Sequence, residues 1–111
     1  MLPAAFRLTA SDRFREAARR GRRAGAATLV VHRTDDPGAT IPQVGFVVSR
    51  GVGNAVIRNR VQRRLRHLVR EHLSALPPSA VLVVRALPDA ATASSAELAA
   101  DLETCLRRVV R

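Results

Sequence analysis

The sequence contains no lysine, tyrosine or tryptophan, and a single cysteine stands among its 111 residues. One cysteine excludes an intramolecular disulfide, and with three scattered histidines it gives no metal-ligand spacing. The longest aliphatic run, residues 80–84, is far shorter than the ~20 residues of a membrane-spanning helix. Because the N-terminus also lacks the apolar stretch of a signal peptide, we expect a cytoplasmic protein without membrane contact. A hydrophobic content of 47% argues against disorder, so residues 1–111 are predicted to form one domain.

The positive charge is concentrated in the first two-thirds of the chain. All nineteen basic residues are arginines, against nine carboxylates, so the formal net charge is +10. Residues 1–72 hold fifteen of the arginines and five carboxylates, whereas residues 73–111 hold four of each. A GC-rich genome explains why arginine replaces lysine, but not where the arginines are. This asymmetry is typical of a protein whose partner is a polyanion.

Hydrophobic periodicity predicts the element order α-β-β-α-β-α. Helices are predicted from Ser11 or Asp12 to about residue 20, over residues 53–76, and from Ser94 towards the C-terminus. Strands are predicted at residues 28–32, 44–48 and 80–84. The loop between the first two strands suits an antiparallel pair. The expected fold class is α+β, a two-layer sandwich with helices packed on a small mixed sheet.

The final helix carries two clear signals. It opens on Ser94-x-x-Glu97, the spacing of a capping box. Its apolar residues recur at steps of three and four: Leu98, Leu102, Cys105, Leu106 and Val109. Cys105 falls on this stripe, so it is predicted to be a core residue rather than a nucleophile.

Residues 53–76 form the most informative segment, an amphipathic helix with Asn54 at the N-cap position. Its apolar side carries Val61, Leu65, Leu68, Val69, His72 and Leu76. Its opposite side carries Asn59, Arg60, Arg63, Arg66, His67 and Arg70. Arg58 lies beside the apolar stripe, near the first turn. The helix's only carboxylate is Glu71, so its arginines are not paired internally.

Several functions compete for this arginine-rich side. A purely solvated face is disfavoured because unpaired like charges destabilise a helix. A membrane-surface helix would present Trp or Phe on its apolar side, which here is needed to cover the sheet. A DNA-binding helix-turn-helix is disfavoured because the basic helix is flanked by predicted strands rather than by a short turn and another helix. A self-sufficient enzyme is also disfavoured, because the histidines are scattered and Asp35 and Asp36 belong to a turn. RNA binding is the favoured prediction, and a structural RNA-binding protein of ribosomal or chaperone type stays open.

Residues 53–66, GNAVIRNRVQRRLR, closely resemble the signature of the bacterial ribonuclease P protein subunit. The distinguishing part is an Arg-Asn-Arg triplet after Gly-Asn-Ala-Val. Matching segments extend along the chain: Arg7-Leu8, Asp12-x-Phe14, Val44-Gly45, Val48-Ser49-Arg50, and Val83-Val84-Arg85 with Pro88. The resemblance implies a protein that assists a catalytic RNA in removing the 5′ leader of precursor tRNA. It also implies a left-handed βαβ crossover in the fold.

The same resemblance implies two binding surfaces and a place for the metal. The arginine-rich helix is expected to contact phosphates of ribonuclease P RNA through Arg58, Asn59, Arg60, Arg63, Arg66 and Arg70. A cleft of the sheet and first helix is expected to hold the precursor tRNA leader through Phe14, His32, Phe46 and Arg50. Core packing is the alternative role of both phenylalanines. The Mg²⁺ ions are expected on the RNA, with no catalytic protein residue and no further protein partner.

Four positions depart from the family pattern. Gln62 and Gly51 stand where lysines are common, and Ala18 and His32 stand where aromatic residues are common. Little surface is therefore available for stacking RNA bases. Leader binding is expected to depend more on arginines such as Arg50 than on rings. It is also expected to strengthen as the pH falls through about 6.5, when His32 gains its charge.

Overall fold

The computed structural model describes residues 4–6 and 21–110, and two long helices and a four-stranded sheet make up most of these residues. The strands are β1 (Arg22–Gly25), β2 (Leu29–Asp35), β3 (Gln43–Val47) and β4 (Ala80–Ala86). The helices are α1 (Ala55–Arg70) and α2 (Ser95–Val110), and short 3-10 turns occur at Ala4–Phe6, Leu73–Ala75 and Pro88–Ala91. The α+β class is confirmed, and β1 adds a strand. The predicted first helix, with Phe14 and Ala18, lies outside the described residues.

Strand β4 lies in the interior of the sheet, whose strand order is β1-β2-β4-β3. It pairs antiparallel with β2 and parallel with β3, which confirms the mixed sheet. Strands β2 and β3 are not neighbours, so the predicted antiparallel pair of the first two strands is wrong. The composition of β4 gives the reason, because six of its seven residues are buried. A strand that is apolar on both faces is best placed between two hydrogen-bonded neighbours.

Helix α1 connects β3 to β4. Two parallel neighbouring strands cannot be joined by a tight turn and need a crossover segment. The sixteen residues of α1 supply it and form a βαβ unit. The chain therefore enters α1 from the edge strand β3 and leaves it towards the interior strand β4.

The main core lies between the helices and one face of the sheet. Helix α1 contributes Val61, Leu65 and Val69, each no more than 1% exposed. The whole predicted stripe of α2 is buried, which confirms that prediction. Burial raises the pKa of the Cys105 thiol, as does the nearby Asp101 charge. Cys105 is thus a core residue.

Both predicted helix caps are confirmed. The Asn54 side chain accepts a hydrogen bond from the Ile57 backbone N–H at 3.0 Å. Ser94 and Glu97 form a reciprocal pair: the Glu97 N–H donates to Ser94 Oγ at 3.1 Å, and the Ser94 N–H donates to Glu97 Oε1 at 3.0 Å. Each cap satisfies donors that the first turn leaves free, so both helix starts are set locally.

Helix α1 ends at Arg70, whereas its pattern predicted a helix to Leu76. The backbone N–H of His72 donates to Val69 O at 2.9 Å, a tighter i to i−3 bond that starts the turn. Pro77 then excludes helical geometry at Leu76, whose backbone is extended. Leu76 still reaches the core at 8% exposure. None of the described helices is long and apolar enough to cross a membrane.

A single carboxylate oxygen ties α2 to the start of β2. Thr28 is 4% exposed, and both its hydroxyl and its backbone N–H donate to Asp101 Oδ2, at 2.7 and 3.2 Å. These two residues are 73 positions apart in the chain. The contact therefore holds α2 in register on the sheet.

Candidate RNA interface

The polar surface of α1 contains five of the six residues predicted to contact ribonuclease P RNA, and Arg58 lies beside the apolar stripe near the first turn. Asn59, Arg60, Arg63 and Arg70 are exposed, while Arg58 and Arg66 are half-buried. The five residues other than Arg58 lie there because the apolar stripe of the helix faces the core and their positions turn outward. The structure thus brings the predicted residues together on one element.

One flank of α1 is bonded to the segment that precedes α2. Arg60 Nη2 donates to Ala91 O at 3.0 Å, and Arg64 Nη1 donates to Ala93 O at 3.3 Å. Sequence reasoning did not select Arg64. Its only signal was the spacing of one turn from Arg60, which places both on the same flank. These two guanidinium groups have backbone partners and hold α1 against that segment.

The outer side and the other flank of α1 have no acidic partner within residues 21–110. Among those residues an ion pair joins Arg33 to Asp35 at 2.8 Å, away from this helix. The Nε atoms of Arg58 and Arg66 are buried and have no hydrogen-bond partner. A buried donor on a charged group is costly to leave unsatisfied, and the terminal nitrogens of both side chains can still donate to an external anion. This part of α1 fits a polyanion.

A groove runs along the outer side of α1 and has a volume of about 430 Å³. It is lined by Val56, Asn59, Gln62, Arg63 and Arg66, and we call it the α1 groove. Two guanidinium groups and two amides stand around one valine that is 76% exposed. The groove can therefore offer bidentate donors to phosphate and amide groups to other polar atoms.

Gly53 has a backbone conformation and a close contact with Ile57 that shape the turn leading into α1. Its φ is +157°, and a Cβ at this position would lie 3.0 Å from Ile57 Cγ2. Gly51 meets no such obstacle, since the nearest atom to its Cβ position would be Ser49 Oγ at 3.7 Å. Arg50 is exposed in the turn just before, where the Gly53 N–H donates to Arg50 O at 3.2 Å.

We expect Gly53→Ala to lower the free energy of unfolding by about 1–3 kcal/mol, because the new methyl group collides with Ile57 and the backbone is strained. Gly51→Ala is the matched control and should leave stability nearly unchanged. Urea unfolding of both variants measures this difference. Equal stability of the two variants would show that the Ile57 contact relaxes at no cost.

His32 and Phe46 lie on opposite faces of the sheet and cannot line one cleft together. His32 is level with Val83, whereas Phe46 is level with Val84, the next residue of β4. Phe46 packs against the main core beneath the helices, as in its alternative role. Arg50 is exposed beyond the end of β3, and Phe14 lies outside the described residues. The residues predicted to bind the precursor tRNA leader therefore do not form one surface.

The sheet face that carries His32 also carries two exposed arginines, and we call it the histidine face. Arg23 of β1 is the strand partner of His32, and Arg85 of β4 lies on the same face. Sequence reasoning missed Arg23 because it did not predict β1. Burial, and then the charges of Arg23 and Arg85, lower the pKa of His32 from its ordinary value of 6.5. The predicted pH response of leader binding therefore shifts to more acidic pH.

We expect His32 to reduce stability in acid. Because its folded-state pKa is lowered, the unfolded chain binds more protons at acidic pH. The contribution of neutral His32 to the free energy of unfolding is therefore complete above about pH 6.5 and is lost as the pH falls below that value. His32→Gln stays neutral and should lose less stability between about pH 7 and pH 5. Thermal unfolding of both proteins across this range measures the difference, and parallel curves would contradict the assignment.

Comparison with known proteins identifies the family. The Ribonuclease P family model matches residues 2–110. A ribonuclease P protein component from Nocardioides sp. is 70% identical over 111 residues, covering 98% of this chain and 95% of that protein. One from Streptomyces bikiniensis is 53% identical over 118 residues, covering 99% and 96%.

The fold also matches a solved structure. The RNase P protein of Staphylococcus aureus superposes with a TM-score of 0.86 at 23% identity, covering 96% of this chain and 98% of that one. At this identity the likeness concerns the fold alone, while the family match and the closer relatives span nearly the whole chain. The chain belongs to the ribonuclease P protein family.

Proposed function

We propose that this chain binds ribonuclease P RNA through the outer side of α1 and guides the 5′ leader of precursor tRNA along the histidine face. As a member of its family, the chain is a subunit of an endoribonuclease whose catalysis is carried by RNA. The observation that supports the RNA contact most directly is the set of α1 arginines without acidic partners within residues 21–110, two of them with buried, unsatisfied Nε atoms.

The leader surface is proposed from charge rather than from aromatic stacking. Arg23 and Arg85 flank His32, and Arg50 follows the end of β3, at the sheet edge where Val47 is level with Arg85. Single-stranded RNA can be held by such a row of cations along its backbone. Phe14 remains a candidate for a stacking contact.

The Mg²⁺ ions are proposed to be bound mainly by the RNA. Within the described ranges, no three His, Cys, Asp or Glu residues gather as metal ligands. We propose that the protein supplies no catalytic residue. Its contribution is to bind and orient the two RNAs, and the cytoplasm is the proposed compartment.

Arg50→Ala tests the leader contact in the reconstituted holoenzyme. Loss of one phosphate contact should weaken binding of precursor tRNA by about 3- to 10-fold. Binding of mature tRNA, which has no leader, should stay unchanged. Equilibrium binding of both tRNAs measures the effect. Arg107→Ala, an exposed arginine on α2, is the control and should change neither affinity.

An equal loss for precursor and mature tRNA would contradict the leader contact. The structural RNA-binding alternative predicts something different again. In that case the wild-type protein would bind ribosomal RNA as tightly as ribonuclease P RNA and would not increase precursor cleavage.

A further inference from the structure

The composition of the α1 groove is not explained by phosphate binding alone. Phosphates are bound by cations, and Arg63 and Arg66 supply two. The other lining residues are the amides of Asn59 and Gln62 and the side chain of Val56. An amide presents a donor and an acceptor side by side, which matches the polar edge of a nucleobase.

Val56 is unusual for its exposure. Among the described residues the exposed large hydrophobic side chains are Val56 at 76% and Ile41 at 36%. Val56 stands one turn before Asn59 and Arg60, at the end of the groove. An apolar side chain in a strongly cationic surface gives no attraction to phosphate, but it can pack against the face of a base.

Arg66 indicates where the backbone of the bound RNA would pass. Its Nε is buried and has no hydrogen-bond partner, although the side chain lines the groove. A phosphate at the groove wall would accept hydrogen bonds from the terminal nitrogens of this side chain. Arg63, exposed on the adjacent turn, would meet the next phosphate along the strand.

From this arrangement we infer that the α1 groove holds one unpaired nucleotide of ribonuclease P RNA. Asn59 and Gln62 contact the base edge, Val56 packs on the base, and Arg63 and Arg66 bind the flanking phosphates. The groove volume lies in the range that holds small ligands. An unpaired base is required because Val56 can pack only on a base that is not stacked on its neighbours, and because paired RNA is recognised mostly by its shape and backbone. This inference rests on the proposed function, since it names what α1 recognises.

The experiment measures two dissociation constants for each full-length variant, one for ribonuclease P RNA and one for a length-matched ribosomal RNA fragment. The dissociation constant of the ribosomal fragment divided by that of ribonuclease P RNA reports how strongly the protein prefers ribonuclease P RNA. Gln62→Leu keeps the side-chain size and removes the amide, and it should lower the ratio by about tenfold. Val56→Ser should lower it by a smaller factor. Ile41→Ser, at the other exposed aliphatic side chain, is the matched control and should leave the ratio unchanged.

Arg63→Ala separates this inference from the proposed function. It removes a phosphate contact and should weaken binding of both RNAs to a similar degree, with an unchanged ratio. If Arg63→Ala weakens binding while Gln62→Leu and Val56→Ser keep the wild-type ratio, the base contact is overturned and the proposed function stands. If the wild-type protein shows no preference and Arg63→Ala has no effect, the proposed function itself fails.

Discussion

Replacing Arg63 and Arg66 together with alanine is expected to weaken binding of ribonuclease P RNA by about 10- to 100-fold near physiological salt. Each arginine that neutralises one phosphate releases condensed counterions, and the release contributes about 0.7–0.9 to the dependence of log K on log salt. The wild-type slope should lie between roughly −3 and −5 for about five such contacts. The double variant should reduce its magnitude by about two.

The control for this result must remove the same charge elsewhere. Arg107 and Arg108 are both exposed in the last turn of α2. Their double alanine variant should keep most of the affinity and nearly the wild-type slope. If both double variants lose affinity equally, binding follows the net charge of the protein and not the outer side of α1. Arg60 is less suitable, because its bond to Ala91 O adds a structural role.

Asp101→Ala is expected to produce the largest loss of stability, about 2–4 kcal/mol. The substitution leaves the Thr28 hydroxyl and backbone N–H without their shared acceptor in a site where Thr28 is 4% exposed. Alanine is a better helix former than aspartate, so the loss cannot come from the helix itself. For a domain of this size the midpoint of thermal unfolding should fall by roughly 10–20 °C.

Asp101→Asn is the decisive companion variant. Both Thr28 donors use the same oxygen, Oδ2, so the single carbonyl oxygen of asparagine can accept both hydrogen bonds. We expect this variant to retain most of the stability. If asparagine proves as destabilising as alanine, the negative charge rather than the shared acceptor is what matters at this position.

Local signals in the sequence were sufficient for the starts of α1 and α2. Asn54 and the pair Ser94 and Glu97 lie within three or four residues of the groups they cap, so these bonds are encoded over a short span. The apolar stripe of α2 is equally local, because helical periodicity decides which residues share a side. The triplet at residues 58–60 was informative for the same reason, because its three residues are consecutive and lie within one turn of α1.

Strand pairing was not local, and here the tertiary structure decided. The length of the loop between the first two predicted strands favoured pairing them with each other. In the structure β4, which is buried on both faces, lies between them. The stability gained by burying β4 there depends on all four strands together and cannot be seen in one segment. That placement puts His32 and Phe46 on opposite faces and brings Arg23 and Arg85 beside His32.

The sequence alone therefore determined the starts of α1 and α2, their caps, the polar side of α1 and the family. Only the tertiary structure decided which arginines of α1 already have partners, because the acceptors of Arg60 and Arg64 are carbonyl groups about thirty residues away. It also decided the acidic shift of His32, since desolvation and the charges of neighbouring strands exist only in the folded chain.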